Sequence, residues 1–224
     1  MKIVATSCWH LDLVLAGYDW AGDKLAASAR EEIMDATHGA DLFVHCGDLF
    51  DTNRPSPQAY ATVFKLFKTL GCPAILIRGN HDPDTLAPFK EIEFNESVAV
   101  MDSPCVQNIC GKNFLFAGHM RDRDVDSNSS AQKFVDDTFD IALQDGIVAG
   151  FSHLDMAGAK YPTGVESQGV ELHMPASHKK LPCMIVNGHI HKRQKIGNVI
   201  FCGSLLPTSV SERDEIKGGV ILEV

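Results

Sequence analysis

Short apolar runs alternate along this chain with longer amphipathic stretches, and this alternation most limits how the chain can fold. Runs of this length that are bounded by Gly, Asp, Asn or Pro are typical of buried strands. Their alternation with helical patterns favours a layered α/β architecture. The predicted strands are Lys2–Thr6, Asp41–His45, Pro73–Arg78, Asn113–Ala117, Ile147–Phe151, Cys183–Asn187, Val199–Cys202 and Gly219–Leu222.

Two stretches between these strands have helical periodicity, Asp23–His38 and Pro57–Leu70. Ser56 can cap the second helix, and Pro57 suits a first helical turn. Other segments, Arg121–Ser130 and Val165–His178, lack a clear period and are predicted as loops. The second helix carries one apolar stripe that we expect in the core: Tyr60, Val63, Phe64, Phe67 and Leu70.

The chain has 224 residues, of which 45% are apolar and 22% charged. This size and composition predict one globular domain spanning residues 1–224. The apolar N-terminal stretch is interrupted by His10 and Asp12, which argues against a signal peptide or a membrane span. We therefore expect a cytoplasmic protein without membrane association.

The cysteine content and the net charge narrow the function further. Seven cysteines are scattered without a C-x-x-C pair, which favours free thiols over a disulfide framework or a zinc ribbon. A formal net charge of −9 argues against broad attraction to nucleic acid, because non-specific binding depends on Lys and Arg. It lowers the expectation of a DNA substrate without excluding one.

Side chains of the types that bind metal ions follow five of the predicted strands. Because open α/β sheets place their sites at the carboxyl ends of strands, we expect these side chains to meet at one sheet edge. Asp82 is available to orient the ring of His81. The residues at the strand ends are His10, Asp48, Asn80, His81, His153, His189 and His191.

Each of these motifs alone has a simpler explanation. Asp48 after Gly47 could be an ordinary turn aspartate, and His189 and His191 could be two surface histidines. Their combination after five strands is what indicates a metal site. The remaining histidines are predicted to lie outside it: His38, His45, His119, His173 and His178.

Taken in order, these residues resemble the calcineurin-like metallophosphoesterase superfamily, whose pattern runs D-x-H, G-D-x-x, G-N-H-[DE], a lone His and G-H-x-H. Finer features resemble its SbcD-type nuclease branch, including phage relatives. They are Ser7-Cys8-Trp9-His10-Leu11, Gly47-Asp48-Leu49-Phe50-Asp51-Thr52, His153-Leu154, Gly188-His189-Ile190-His191-Lys192, and the stretch from Gly203-Ser204 through Ser211-Glu212-Arg213 to Lys217-Gly218.

The resemblance implies a four-layer αββα sandwich that binds two divalent metal ions at one edge. One ion would be held by position 8, His10, Asp48 and His191. The other would be held by Asp48, Asn80, His153 and His189. Manganese fits best by resemblance, and zinc or iron would also suit the ligands. A hydroxide that bridges the ions would attack the phosphorus. His81 would either donate to the leaving oxygen or stabilise the phosphorane-like charge.

The chain departs from the family pattern in two ways. Cys8 stands where the family has its opening aspartate. Its thiolate could ligate a soft ion, or binding of the first ion could be weakened or absent. Alternatively, Cys8 could be an inert buried thiol. In addition, we expect no capping domain and no helical segment for an ATPase partner after the catalytic pattern. The chain therefore resembles the catalytic core of the SbcD-type nuclease.

The leading functional prediction is a metal-dependent phosphodiesterase that hydrolyses DNA as an exonuclease or endonuclease. By resemblance it would act with an SbcC-type ATPase subunit. A small-molecule phosphodiesterase or phosphatase on the same fold is the enzymatic alternative. A non-catalytic scaffold with a weakened metal site at Cys8 is the alternative from another class.

Overall fold

The computed structural model describes residues 1–15, 18–19, 24–82, 84–91, 98–125 and 129–224 of the chain. The helices there are α1 (Lys24–Thr37), α2 (Pro57–Thr69), α3 (Ala87–Glu91) and α4 (Ala131–Asp145), with 3-10 turns at Asp122–Asp124, Ala176–Lys180 and Val210–Glu212. The strands are β1 (Lys2–Thr6), β2 (Val14–Leu15), β3 (Tyr18–Asp19), β4 (Leu42–Cys46), β5 (Ala74–Ile77), β6 (Val98–Met101), β7 (Cys105–Ile109), β8 (Lys112–Ala117), β9 (Ala149–Ser152), β10 (Ile185–Asn187), β11 (Gln194–Ile196), β12 (Val199–Phe201) and β13 (Val220–Glu223).

Two larger sheets organise the fold. The first has the strand order β13-β1-β4-β5-β6, in which only β13 runs antiparallel to its neighbour. The second has the order β11-β12-β10-β9-β8-β7, with β11 and β7 as the antiparallel edge strands. The parallel strands in the middle of each sheet bring several carboxyl ends together at one edge.

The two sheets pack face to face, and helices cover their outer faces. Buried side chains of both sheets, such as Val44 and Phe116, belong to one apolar cluster between them. Another cluster joins α1 and α2 to the first sheet, and a third joins α4 to the second. The fold is therefore the predicted four-layer αββα sandwich.

The helix ends follow from local capping. The side chain of Ser56 accepts a hydrogen bond from the Ala59 N–H at 3.1 Å, as predicted for the start of α2. Ser130 caps α4 in the same way through the Lys133 N–H, and Gly146 ends α4 in the left-handed conformation at φ 64°.

Each predicted strand is present, with ends shifted by at most two residues. The predictions omitted the helices α3 and α4 and the strands β2, β3, β6, β7 and β11. In the predicted loop 121–130, Asp122–Asp124 forms a 3-10 turn, whereas residues 126–128 lie outside the described residues. Asp23, the predicted start of the first helix, also lies outside them.

All seven cysteines are free thiols. In the part of the chain that the structure describes, no helix is both long and apolar enough to cross a membrane.

Replacing Phe116 with Ala tests the packing between the sheets. Phe116 is fully buried and stacks on Phe151 with ring centroids 5.7 Å apart. We expect the Phe116→Ala variant to lose about 3–5 kcal/mol of unfolding free energy, measured by urea denaturation, because the removed ring leaves a cavity. Phe134→Ala, on the partly exposed face of α4, is the control and should cost about 1 kcal/mol or less. Equal losses in the two variants would contradict this packing.

Candidate metal centre

The predicted site residues come together at the edge where strands of both sheets end. They follow β1, β4 and β5 in the first sheet, and β9 and β10 in the second. Cys8 and His153 are fully buried beneath a cavity of about 220 Å³. The other predicted residues line that cavity with Leu13, Asp51 and Thr208: His10, Asp48, Asn80, His81, His189 and His191.

Four of these residues have a left-handed backbone, which non-glycine residues rarely adopt. Their φ angles are 50° at Cys8, 46° at His10, 57° at Asp48 and 67° at His189. Hydrogen bonds between the loops after β1 and β4 hold this conformation, for example from Cys8 N–H to Gly47 O at 2.9 Å. Such strain is found where the surrounding structure fixes side chains for function.

One group of possible ligands surrounds Asn80. Its Oδ1 lies 3.0 Å from Nε2 of His153 and 3.2 Å from Nδ1 of His189. Nε2 of His153 is also 3.2 Å from Oδ2 of Asp48. Two nitrogens and two oxygens therefore converge, a mixed ligand set that suits manganese, iron or zinc.

A second group lies on the other side of Asp48. Nε2 of His10 is 3.0 Å from Nε2 of His191 and 3.8 Å from Oδ2 of Asp48. The Sγ atom of Cys8 lies within 4.8 Å of ligand nitrogens of both histidines. Asp48 thus faces both groups and could be shared by two cations.

The outer nitrogens of the four histidines face acceptors elsewhere in the protein. Nδ1 of His10 lies 3.1 Å from Oδ1 of Asp51, and Nδ1 of His153 lies 2.7 Å from the carbonyl oxygen of Cys46. Nδ1 of His191 is 3.0 Å from Oε1 of Glu212. Nε2 of His189 is 3.6 Å from a carboxylate oxygen of Glu171. Because the outer nitrogens of His10, His153 and His191 donate hydrogen bonds, their inner nitrogens can present lone pairs, as metal-binding histidines do.

The positions of these lone pairs show whether cations would fit between the side chains. Nε2 of His10 faces Nε2 of His191, and Nε2 of His153 faces two oxygens. Without a bound cation, each contact needs an additional proton to avoid repulsion between lone pairs. Divalent cations would replace those protons, so the residues present fit a metal centre.

The charges around Asp48 agree with this interpretation. Burial favours the neutral acid, but the neighbouring His153, His10 and His81 hold the pKa of Asp48 well below its ordinary range. Burial lowers the pKa of His153, but the adjacent Asp48 carboxylate outweighs burial and raises it. Burial lowers the pKa of His189 to about 4 and also lowers that of His191, which favours the neutral, metal-binding ring in both.

Burial also decides the state of Cys8. Desolvation and the nearby Asp48 raise the pKa of the Cys8 thiol well above its ordinary value. Without a cation beside it, the thiol keeps its proton.

His81 lies beside both groups but is held differently. Its backbone N–H donates to Oδ1 of Asp48 at 2.9 Å, and its Nδ1–H donates to the Asp51 carbonyl at 2.7 Å. Nε2 is then the nitrogen available to a molecule in the cavity. The prediction that Asp82 orients this ring was wrong: the Asp82 carboxylate instead accepts the backbone N–H groups of Leu49, Phe50 and Gly79.

The other histidines do not line the cavity, as predicted. His45 is fully buried, and desolvation lowers its pKa to about 3. His119 follows β8, and its backbone N–H donates to the carbonyl oxygen of Arg78. Burial lowers the pKa of the His119 ring to about 4. The Asp12 carboxylate accepts from the Asp51 N–H and the Thr52 hydroxyl, so it acts as a loop residue rather than as a ligand.

Sequence reasoning assigned no role to Asp51 or Glu212. Glu212 is 2% exposed and accepts hydrogen bonds from His191, Thr208 and Ser204 as well as from Lys217. The interactions with His191 and Lys217 hold its pKa well below the ordinary value although burial opposes them. The motif from Ser204 to Lys217 was the available signal, but it did not reveal that Glu212 supports His191.

Comparisons with known proteins agree with this geometry. A family model described as calcineurin-like phosphoesterase matches residues 1–193. A Staphylococcus epidermidis protein, named as a subunit of the nuclease SbcCD, is 26% identical over 253 aligned positions, which cover 100% of this chain and 66% of that protein. This chain therefore spans about two thirds of the length of that relative.

Two solved structures are similar to this chain at low sequence identity. A crystal structure of a Thermus thermophilus protein superposes with a TM-score of 0.52 at 14% identity, over 91% of this chain and 89% of that one. An archaeal phosphodiesterase gives a TM-score of 0.49 at 15% identity, over 100% of this chain and 93% of its own. The first of these supports the fold alone.

Gly188 tests the contact between the two sheets at the site. A Cβ at this position would overlap Cys46 O and lie 2.7 Å from Nδ1 of His153, and those two atoms are hydrogen-bonded to each other. We expect Gly188→Ala to lower the unfolding free energy by about 1–3 kcal/mol in urea denaturation because the substitution overpacks this contact. Gly71→Ala is the control because nothing lies within 4 Å of its added Cβ. The same unfolding midpoint in both variants would show that Gly188 is not required for close packing.

Proposed function

The chain belongs to the calcineurin-like phosphoesterase family of metal-dependent phosphoester hydrolases, and on this premise we propose that it is a phosphodiesterase that hydrolyses DNA. We propose further that residues 1–224 act as one catalytic domain in the cytoplasm. The observation that carries the proposal is the convergence of histidine nitrogens on both sides of Asp48, with their outer nitrogens facing protein acceptors.

In this proposal, Asp48, Asn80, His153 and His189 hold one divalent cation. The second cation is held by His10, His191 and Asp48, together with position 8. The nitrogen and oxygen ligands suit manganese, with zinc or iron as alternatives. When bound, such cations supply charge neutralisation for the phosphate oxygens and lower the pKa of water at the site.

The chain's own side chains would position the ester. Asp48 and Asn80 line the cavity and leave room for a phosphate group between the histidines. His81 is the proposed proton donor to the leaving oxygen, because its Nδ1–H is held by Asp51 O and its Nε2 remains free to act. The side chain of His81 is 40% exposed, so its proton can be replaced from solvent.

Two observations support DNA as the substrate class. The relative from S. epidermidis is named as part of a nuclease, and its alignment covers this whole chain. The cavity of about 220 Å³ is also smaller than the ~300–1,000 Å³ typical of pockets that enclose small ligands. It suits a site that holds one phosphodiester while the rest of the substrate stays outside. By the same likeness, we propose an SbcC-type ATPase as the partner protein.

A small phosphodiester is the second candidate because of charge. The protein carries a formal charge of −9, and several cations near the site are already engaged. Lys192 pairs with Glu215 at 2.7 Å, Lys217 pairs with Glu212 at 2.5 Å, and Arg193 donates to Gly219 O. These groups add little attraction for the backbone of a long polyanion.

The substrate test uses metal-depleted protein reloaded with manganese. Single-stranded DNA, duplex DNA and a chromogenic phosphodiester are incubated with it separately, with Asn80→Ala as the inactive comparison. We expect cleavage of DNA, and chelation should abolish it. Cleavage of the chromogenic ester alone would support the small-molecule candidate, and no cleavage with two metals bound would support the scaffold alternative.

His81→Gln separates proton donation from metal binding. We expect kcat on DNA to fall about 10²–10⁴-fold because glutamine cannot supply a proton at this position. Metal content, measured by elemental analysis, should stay at the wild-type value. His38→Gln, an exposed position after α1, is the control and should retain wild-type kcat. A parallel loss of metal and kcat in His81→Gln would instead make His81 a ligand.

A further inference from the structure

Cys8 occupies the floor of the metal centre. It follows β1 closely, is 0% exposed, and has its backbone fixed in the left-handed region by the hydrogen bond to Gly47 O. This backbone conformation is shared with His10 and Asp48, which face the cavity. The backbone of Cys8 is thus held in the same conformation as those of His10 and Asp48.

The sulfur of Cys8 lies within reach of both ligand groups. Its Sγ is within 4.8 Å of ligand nitrogens of His10 and His191. The Nε2 atoms of these two histidines are 3.0 Å apart. It is also within 4.8 Å of an Asp48 carboxylate oxygen and a His153 nitrogen. Ligands that bind one cation at about 2.0–2.3 Å lie at most roughly 4.6 Å apart, so atoms that all lie within 4.8 Å of one another are near enough to share a cation after small adjustments.

Other buried thiols do not share this arrangement. Cys46 and Cys202 are as fully buried as Cys8, but neither joins a group of three such ligand atoms within the described residues. The Cys46 thiol is directed to Val186 O at 3.9 Å, between the sheets. Burial alone therefore does not explain where the Cys8 sulfur lies.

We propose that Cys8 binds a cation as a thiolate together with His10, His191 and Asp48, and that this position selects thiophilic divalent cations such as zinc. The inference rests on the proposed metal centre and adds that its two cation positions prefer different metals. The position formed by Asn80, His153, His189 and Asp48 has only nitrogen and oxygen ligands and accepts manganese. Sulfur is a soft ligand and favours zinc over manganese.

Binding at this position exchanges a proton for a metal ion. The S–H bond of Cys8 breaks, a sulfur–metal bond forms, and the proton passes to solvent without any change in oxidation state. A bound cation supplies the positive charge that stabilises the thiolate in this buried place.

Cobalt serves as the spectroscopic probe for the thiolate. Metal-depleted wild-type protein is titrated with Co²⁺ alone, and we expect a sulfur-to-cobalt charge-transfer absorption in the near ultraviolet. Cys8→Asp should lose this absorption and should shift the preference for zinc over manganese at least about tenfold toward manganese in a competition assay. Cys202→Ala, the control for a buried thiol near the site, should keep both properties.

A wild-type protein that binds cobalt without this absorption, or that binds no cobalt, would overturn the inference. Persistence of the absorption in Cys8→Asp would assign it to another cysteine and would also overturn the inference. X-ray absorption of the zinc-loaded wild type needs no variant, and it should show one sulfur at about 2.3 Å from zinc. Absence of that sulfur from the zinc coordination would also overturn the inference.

These results are independent of the substrate proposal. The absorption and the zinc–sulfur distance report on Cys8 whether or not DNA is cleaved. Conversely, DNA cleavage by a protein without the sulfur signal would leave the proposed function standing and remove only the role of Cys8.

Discussion

The buried carboxylate of Asp48 is the interaction on which the rest of the site depends. It lies between His153 on one side and His10 on the other, and it accepts the backbone N–H of His81. Desolvation of a carboxylate is costly, so this position requires partners that donate hydrogen bonds or carry positive charge. The same arrangement that stabilises the charge also brings nitrogen ligands from both sheets to one place.

Close approach of the sheets makes this arrangement possible. The Nδ1–H of His153, from the second sheet, donates to Cys46 O at the end of a strand in the first. No Cβ fits at Gly188 beside this contact, or at Gly79 beside Asp48. The glycines before His189 and Asn80 therefore provide the space that lets two separate sheets form one candidate metal centre.

Local sequence patterns predicted the strands and most of the side chains that converge at the sheet edge, because both depend on short-range features. Apolar runs mark strands, and a His or Asp after a run marks a strand end, as at Asp48 and His153. The partners of those ligands could not be predicted so easily, because Asp51 and Glu212 are defined by contacts across the fold. Asp82 shows the same limit: adjacency to His81 suggested a role that the folded backbone gives to Asp51. The helix α4 was omitted although Val135, Phe139 and Ala142 carry its periodicity.

The contacts of His191 extend the candidate site beyond the residues that match the family model, which end at 193. Glu212 accepts a hydrogen bond from His191, and Lys217 balances the charge of Glu212 while also contacting Ser204. A few residues later, β13 pairs with β1, where Val220 lies opposite Ala5. Because β1 leads directly to Cys8 and His10, the segment after residue 193 supports the same ligand group twice, once through the side chain of His191 and once through the strand that precedes Cys8. The physical boundary of the site therefore includes this segment.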